Sequence, residues 1–144
     1  MYLKFDIRLE FPELARTLNA ELTEDNIDWD SENVYEWMYV DLPQLDFSLN
    51  VSREHGWADI DDATLNKHEN DQEALKQIVQ PGPVYVFGWD RRKSDYVDQL
   101  PDDLSSFIAD RLFVDVAVFD RRINVDTTDG TPLTVVGPKH KTGS

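Results

Sequence analysis

The sequence predicts an α+β domain: a mixed, mainly antiparallel sheet with about three helices packed on one face. Three observations carry that prediction. The chain opens on strict alternation, with Leu3, Phe5, Ile7, Leu9 and Phe11 against Lys4, Asp6, Arg8 and Glu10, the pattern of a strand with one buried side. Three later stretches carry apolar stripes at helical spacing and are bounded by proline. The remaining apolar runs come in pairs joined by short turns, as antiparallel hairpins require.

Taken in order, Pro12 ends the first strand and suits the first turn of a helix. Leu14, Leu18 and Leu22 follow at i, i+4 and i+8 with Ala15 beside them, an amphipathic helix of about three turns. Residues 23–32, TEDNIDWDSE, read as an acidic loop around Trp29. Asn33 to Leu42 is β-branched and aromatic on both sides and reads as a well-covered strand, with Trp37 as a core anchor. After the turn at Asp41-Leu42-Pro43, Leu45, Phe47, Leu49 and Val51 alternate with polar residues and pair back on it. Residues 53–71 are polar and begin with a predicted loop, Arg53 to Trp57. Asp61 or Asp62 could cap a short helix there.

A clearer helix runs over about 71–80, and Pro81-Gly82-Pro83 stops it. Val84 to Phe87 is a short central strand, and GWDRRKS after it reads as a loop. Residues 101–112 form the third helix, with Pro101, Asp102 and Asp103 in its first turn and Leu104, Phe107, Ile108 and Leu112 on its stripe. Val114, Val116 and Val118 alternate as a strand. Asp120-Arg121-Arg122 turns into a further strand, Ile123 to Thr127. Asp129-Gly130 is a hairpin turn into the last strand, Thr131 to Val136. Residues 1–137 thus read as a single compact α+β domain and residues 138–144 as a loose tail.

Composition narrows the function. At 144 residues, 40% of them hydrophobic and 11% aromatic, the chain has the length of one domain with a real core. Its net charge of −15 comes from 29 acidic against 14 basic residues. Few cations are on offer to displace the counterions of nucleic acid, and an anionic membrane would repel the chain. The alternating start does not read as a signal peptide, and no apolar run approaches a membrane span. Cysteine is absent, which excludes disulfides, thiolate metal sites and thiol catalysis.

Catalytic motifs are not found either. The three histidines are His55, His68 and His140, and no G-x-S-x-G elbow accompanies them. His55 and Asp59 are spaced i, i+4, with Asp61 and Asp62 close behind. On a helix they would share a face and could hold a divalent ion, but Gly56 and Trp57 argue against an orderly helix, and a solvated acidic loop is the plainer reading. The cluster Arg91, Arg92 and Lys93 reads as a solvated turn or as pairing with Asp90 and Asp95. No catalytic residue, metal ligand or cofactor is assigned.

What remains is tryptophan set among carboxylates. Trp29 stands between Asp28 and Asp30, and Trp57 precedes Asp59, Asp61 and Asp62. Tryptophan is enriched at binding hot spots, and surrounding carboxylates steer a cationic partner. The expectation is therefore a non-catalytic, cytoplasmic protein that neutralises a basic protein partner, in the manner of an immunity or antitoxin protein inhibiting a toxin nuclease. Its contact surface is expected at Glu24, Asp25, Asp28, Trp29, Asp30 and Glu32, with Trp57, Asp59, Asp61 and Asp62. Two alternatives belong to other classes. One is a small, metal-dependent enzyme with an acidic pocket near His55 and Asp59. The other is a DNA mimic, or a protein of unrelated function whose acidity is halophilic; 20 Asp against 9 Glu, with 6 Lys, fits the last.

Overall fold

The computed structural model describes residues 1–120 and 130–139. In chain order the elements are β1 (Tyr2–Phe5), α1 (Phe11–Leu18), β2 (Asp28–Ser31), β3 (Tyr35–Leu42), β4 (Phe47–Glu54), α2 (Asp62–Lys67), α3 (Gln72–Ile78), β5 (Val84–Asp90), β6 (Asp95–Val97), α4 (Leu104–Leu112), β7 (Val116–Phe119) and β8 (Thr134–Val136). The strands form one sheet in the order β2-β3-β4-β5-β1-β7-β8, with β6 added to β5. Every pairing among the described residues is antiparallel. Val86 pairs with both Val51 and Leu3, and Gly88 with both Leu49 and Val97, so β1 and β6 share the β5 edge that faces away from β4.

Alternation decides which side of the sheet is covered. Leu3 and Phe5, Met38, Val40 and Leu42, Leu49 and Val51, Val84 and Val86, and Val116 and Val118 all enter one core. The same core takes Phe11, Leu14, Ala15 and Leu18 from α1 and Leu104, Ile108, Ala109 and Leu112 from α4. This is the expected α+β arrangement, with helices against one face. Gly88 is required by close approach: a Cβ there would lie 2.8 Å from the Val97 carbonyl oxygen and 2.9 Å from the Phe47 ring. Among the described residues no helix is long and apolar enough to cross a membrane.

Several expectations are corrected. Alternation ends at Phe5, so Ile7 and Leu9 lie beyond β1 and pack against the core from a connecting segment. Helix α1 stops at Leu18, because Asn19 turns extended and its side chain donates to the Asp41 carbonyl at 2.9 Å; Leu22 still packs on the core. The acidic segment 23–32 is not simply a loop, since Asp28–Ser31 forms a strand whose four residues are all exposed. Strand β4 runs on through Arg53 and Glu54, and β5 through Trp89 and Asp90. Trp37 lies on the sheet face away from the helices and is only partly buried, so it is not a core anchor. The anticipated strand at 123–127 lies outside the described residues. Of the predicted tail, Lys139 is tied down, its amide donating to the Asp110 carboxylate at 2.6 Å.

Candidate functional site

A cleft of about 730 Å³ opens on the helix side of the sheet, between the start of α1, the ends of β3 and β4, and the C-terminus of α3. Its floor is an ion pair. Glu36 and Arg53 stand directly opposite each other in the β3–β4 register on the same face as Met38 and Val51. They are 6% and 5% exposed. Arg53 donates through Nε to Glu36 Oε2 at 3.0 Å and through a second nitrogen to the Ile7 carbonyl at 3.3 Å. Its guanidinium lies 4.5 Å above the Phe11 ring, so charge, hydrogen bonds and ring face are all met inside the protein. The other Glu36 oxygen accepts from Trp29 Nε1 at 3.1 Å. Trp29 thereby becomes one wall of the cleft, although it is 45% exposed.

The opposite wall is Trp57, 37% exposed, in the 3₁₀ turn Trp57–Asp59. His55 sets that turn. Its Nδ1 accepts from the Trp57 amide at 3.0 Å, which places the ring proton on Nε2, where it donates to the Glu32 carbonyl at 2.8 Å. Both imidazole nitrogens are thus spent on backbone; a metal ion at His55 would have to break one of those bonds. Among the described residues, no three His, Asp or Glu side chains are grouped to hold a metal. Arg8 closes the far end by donating to the carbonyls of Val79 at 2.7 Å and Gln77 at 3.3 Å, where the α3 dipole favours a cation. A smaller hollow of about 380 Å³ shares Trp29, Glu36, His55 and Trp57 with the cleft.

The ten residues anticipated from sequence do not form one surface. Trp29 and Trp57, drawn from distant segments, meet at the cleft, and Glu32 lines the smaller hollow beside them. Strand alternation turns Asp28 and Asp30 to the other side of the sheet. Glu24 pairs with Arg16 at 3.6 Å, and Glu24 and Asp25 line neither hollow. Asp61 caps α2 by accepting from the Thr64 amide at 2.7 Å; hydrogen bonds from Thr64, side chain first and then backbone, hold its carboxyl below the usual value. Asp59 and Asp62 sit beside it, exposed, with no ion-pair partner among the described residues. Glu36 and Arg53 were not anticipated. Their signal was opposite charge at the apolar positions of two strands expected to pair.

Asp28 instead meets Arg91, which lies 3.4 Å from it and 2.8 Å from Asp41. Within the basic cluster, Asp90 caps the turn amides of Arg92 and Lys93, while Arg91 reaches back to β2 and β3. Partial burial pushes the Asp41 carboxyl up, but the Ser48 hydroxyl, bonded at 2.6 Å, and then Arg91 outweigh it and hold the group below its ordinary value. A carboxyl depressed in the folded state contributes stability that is present above its unfolded value, near pH 3.9, and is lost as pH falls through the folded one. Asp41→Asn should therefore flatten the acid side of the stability profile below about pH 4, measured as urea midpoints across that range. Because the group is largely solvated the change is small.

The edge of β2 carries its own protection. The Glu32 backbone amide donates to the Tyr35 carbonyl at 2.7 Å, which fixes the alternation and turns the amides of Trp29 and Ser31 outward. The Trp29 amide is taken by the Ile27 carbonyl at 3.1 Å and the Ser31 amide by the Asp30 side chain at 2.8 Å. An incoming strand finds those donors occupied, and acidic side chains beside them. Comparison with known proteins finds no match: no family model fits the chain, and no curated protein or solved structure is similar to it.

Proposed function

We propose that this chain is a non-catalytic acidic binding protein that neutralises a basic protein partner, acting in the cytoplasm as an immunity or antitoxin protein against a toxin nuclease. The observation that carries the reading is the convergence of Trp29 and Trp57 on one cleft. Two large indoles left open to water form the kind of anchor that desolvated hot spots are built from. The surplus of carboxylates supplies the rest. Arg53, Arg91, Arg16 and Lys76 are already paired with acids of this chain, so Asp25, Asp59 and Asp62 remain to attract cations from outside. A nuclease must present cations to its substrate, and an acidic protein seated on them takes the substrate's place.

The test is calorimetric titration with the product of the adjacent open reading frame, together with assay of that product on nucleic acid. Binding is expected to weaken by tenfold or more between about 0.1 M and 1 M salt. Trp57→Ala, and separately Trp29→Ala, should each weaken it by about 2 kcal/mol or more, with nuclease inhibition lost in parallel. Affinity indifferent to salt and to both substitutions would overturn the proposal.

A further inference from the structure

The sheet face turned away from the helices is aromatic, although open faces of antiparallel sheets are ordinarily polar. Alternation places Trp37 and Tyr39 of β3, Trp89 of β5 and Tyr96 of β6 there. Tyr39 lies 4.9 Å from Trp89 and Trp89 lies 5.2 Å from Tyr96, centroid to centroid. These rings pack on one another yet stay partly open, Tyr96 being 41% exposed. This face already holds cations of its own: Arg91 lies 5.9 Å over the Tyr39 ring while paired with Asp28, and Lys4 lies 5.5 Å over Tyr85.

The β2–β3 register repeats the arrangement two residues along. Asp28 stands opposite Tyr39, and Asp30 opposite Trp37. The first pair is filled by Arg91, which Asp41 also holds at 2.8 Å. The second, Asp30 with Trp37, has no cation over it among the described residues. Asp30 spends one oxygen on the Ser31 amide and keeps the other. We propose that Asp30 and Trp37 form a second recognition site, which takes an arginine side chain of a partner protein with its plane on the ring and one edge on the carboxylate, as Tyr39 and Asp28 do for Arg91 with the further help of Asp41 at 2.8 Å.

Guanidinium is the chemistry that fits. It is planar, weakly hydrated, stacks on an aromatic face and still pairs with a carboxylate at its edge. A second copy of this chain is the wrong occupant, because each copy carries −15 and stacking two such faces adds like charge. The site shares with the proposed function the basic character of the partner, and it lies on the opposite face from the cleft.

The four tryptophans report on the two faces separately, Trp37 and Trp89 on the open face, Trp29 and Trp57 at the cleft. A capped hexa-arginine peptide is titrated into the isotopically labelled full chain while the indole N–H signals are followed by NMR. The Trp37 signal should move most and Trp89 should follow. Asp30→Asn, which keeps an acceptor for Ser31, and Trp37→Leu should each weaken the peptide about fivefold, and hexa-lysine should bind more weakly than hexa-arginine. Shifts confined to Trp29 and Trp57 would overturn this site and leave the cleft standing. Equal binding of hexa-lysine, no shift at all, or a doubled mass by sedimentation would overturn it as well. Loss of the cleft reading, with Trp57→Ala indifferent toward the adjacent gene product, leaves the Trp37 response unchanged.

Discussion

Arg53→Ala should destabilise this protein by about 3–5 kcal/mol, a large share of the roughly 5–15 kcal/mol that holds a domain of this kind together. The size follows from what is left behind. With Arg53 gone, the Glu36 carboxylate, 6% exposed in the intact chain, loses its cation and keeps a single neutral donor among the described side chains, the Trp29 indole. An ion stranded in that way costs far more than the intact pair contributes. The Phe11 ring loses its covering guanidinium and the Ile7 carbonyl its donor. Glu36→Gln should cost less, because an amide oxygen still accepts one bond. The double replacement Arg53→Met with Glu36→Leu should recover most of the loss, since no charge remains to be solvated. Urea unfolding of the single and double variants measures all of this. An Arg53→Ala midpoint equal to the parent's would show that the pair contributes nothing. Trp29 ties the pair to the cleft: where Glu36 is replaced by Leu, its indole loses the bond that holds it against the cleft.

Gly56→Ala should cost about 2–5 kcal/mol for two separate reasons. Gly56 sits at φ +87°, where a side chain is strained by about 1–2 kcal/mol. A Cβ would also lie 2.6 Å from the Gln80 carbonyl oxygen and 2.8 Å from its carbon. Both are backbone atoms just past α3, next to the Val79 carbonyl that Arg8 holds, so the overpacking adds about 1–3 kcal/mol. Gly56→Asn separates the causes. Asparagine tolerates the left-handed region, so full rescue would point to strain alone, whereas the close approach predicts that Asn fares no better than Ala. Thermal unfolding of both variants decides it. Since Gly56 opens the turn that carries Trp57, any variant that still folds should also bind the proposed basic partner less tightly.

The sequence was most informative where one side of an element had to be apolar. Strand β1, the pair β3 and β4, the start of β5, and helices α1, α3 and α4 all announce themselves by spacing, and prolines mark several of their ends. Strand β2 could not be read this way. Its residues Asp28, Trp29, Asp30 and Ser31 are all exposed, and only pairing with β3 makes them a strand. Trp37 was misplaced for a related reason. Apolar residues on both faces of β3 look like burial on both faces, yet the helices cover only one. Arg53 looked like the beginning of a polar loop because nothing local shows that Glu36 waits across the strand.

Periodicity, composition and the turn residues therefore determined the α+β class, most of the elements and the acidic character on which the proposed function rests. Only the tertiary structure decided that Trp29 and Trp57 share a cleft, that Glu36 and Arg53 form its floor, and that Asp28 and Asp30 look the other way. The physical reason lies in range. Which side of a helix or strand avoids water is set within a few residues, by the geometry of the chain itself. Which distant side chains then meet depends on strand register and on which sheet face the helices cover, and both are settled only when the whole core closes.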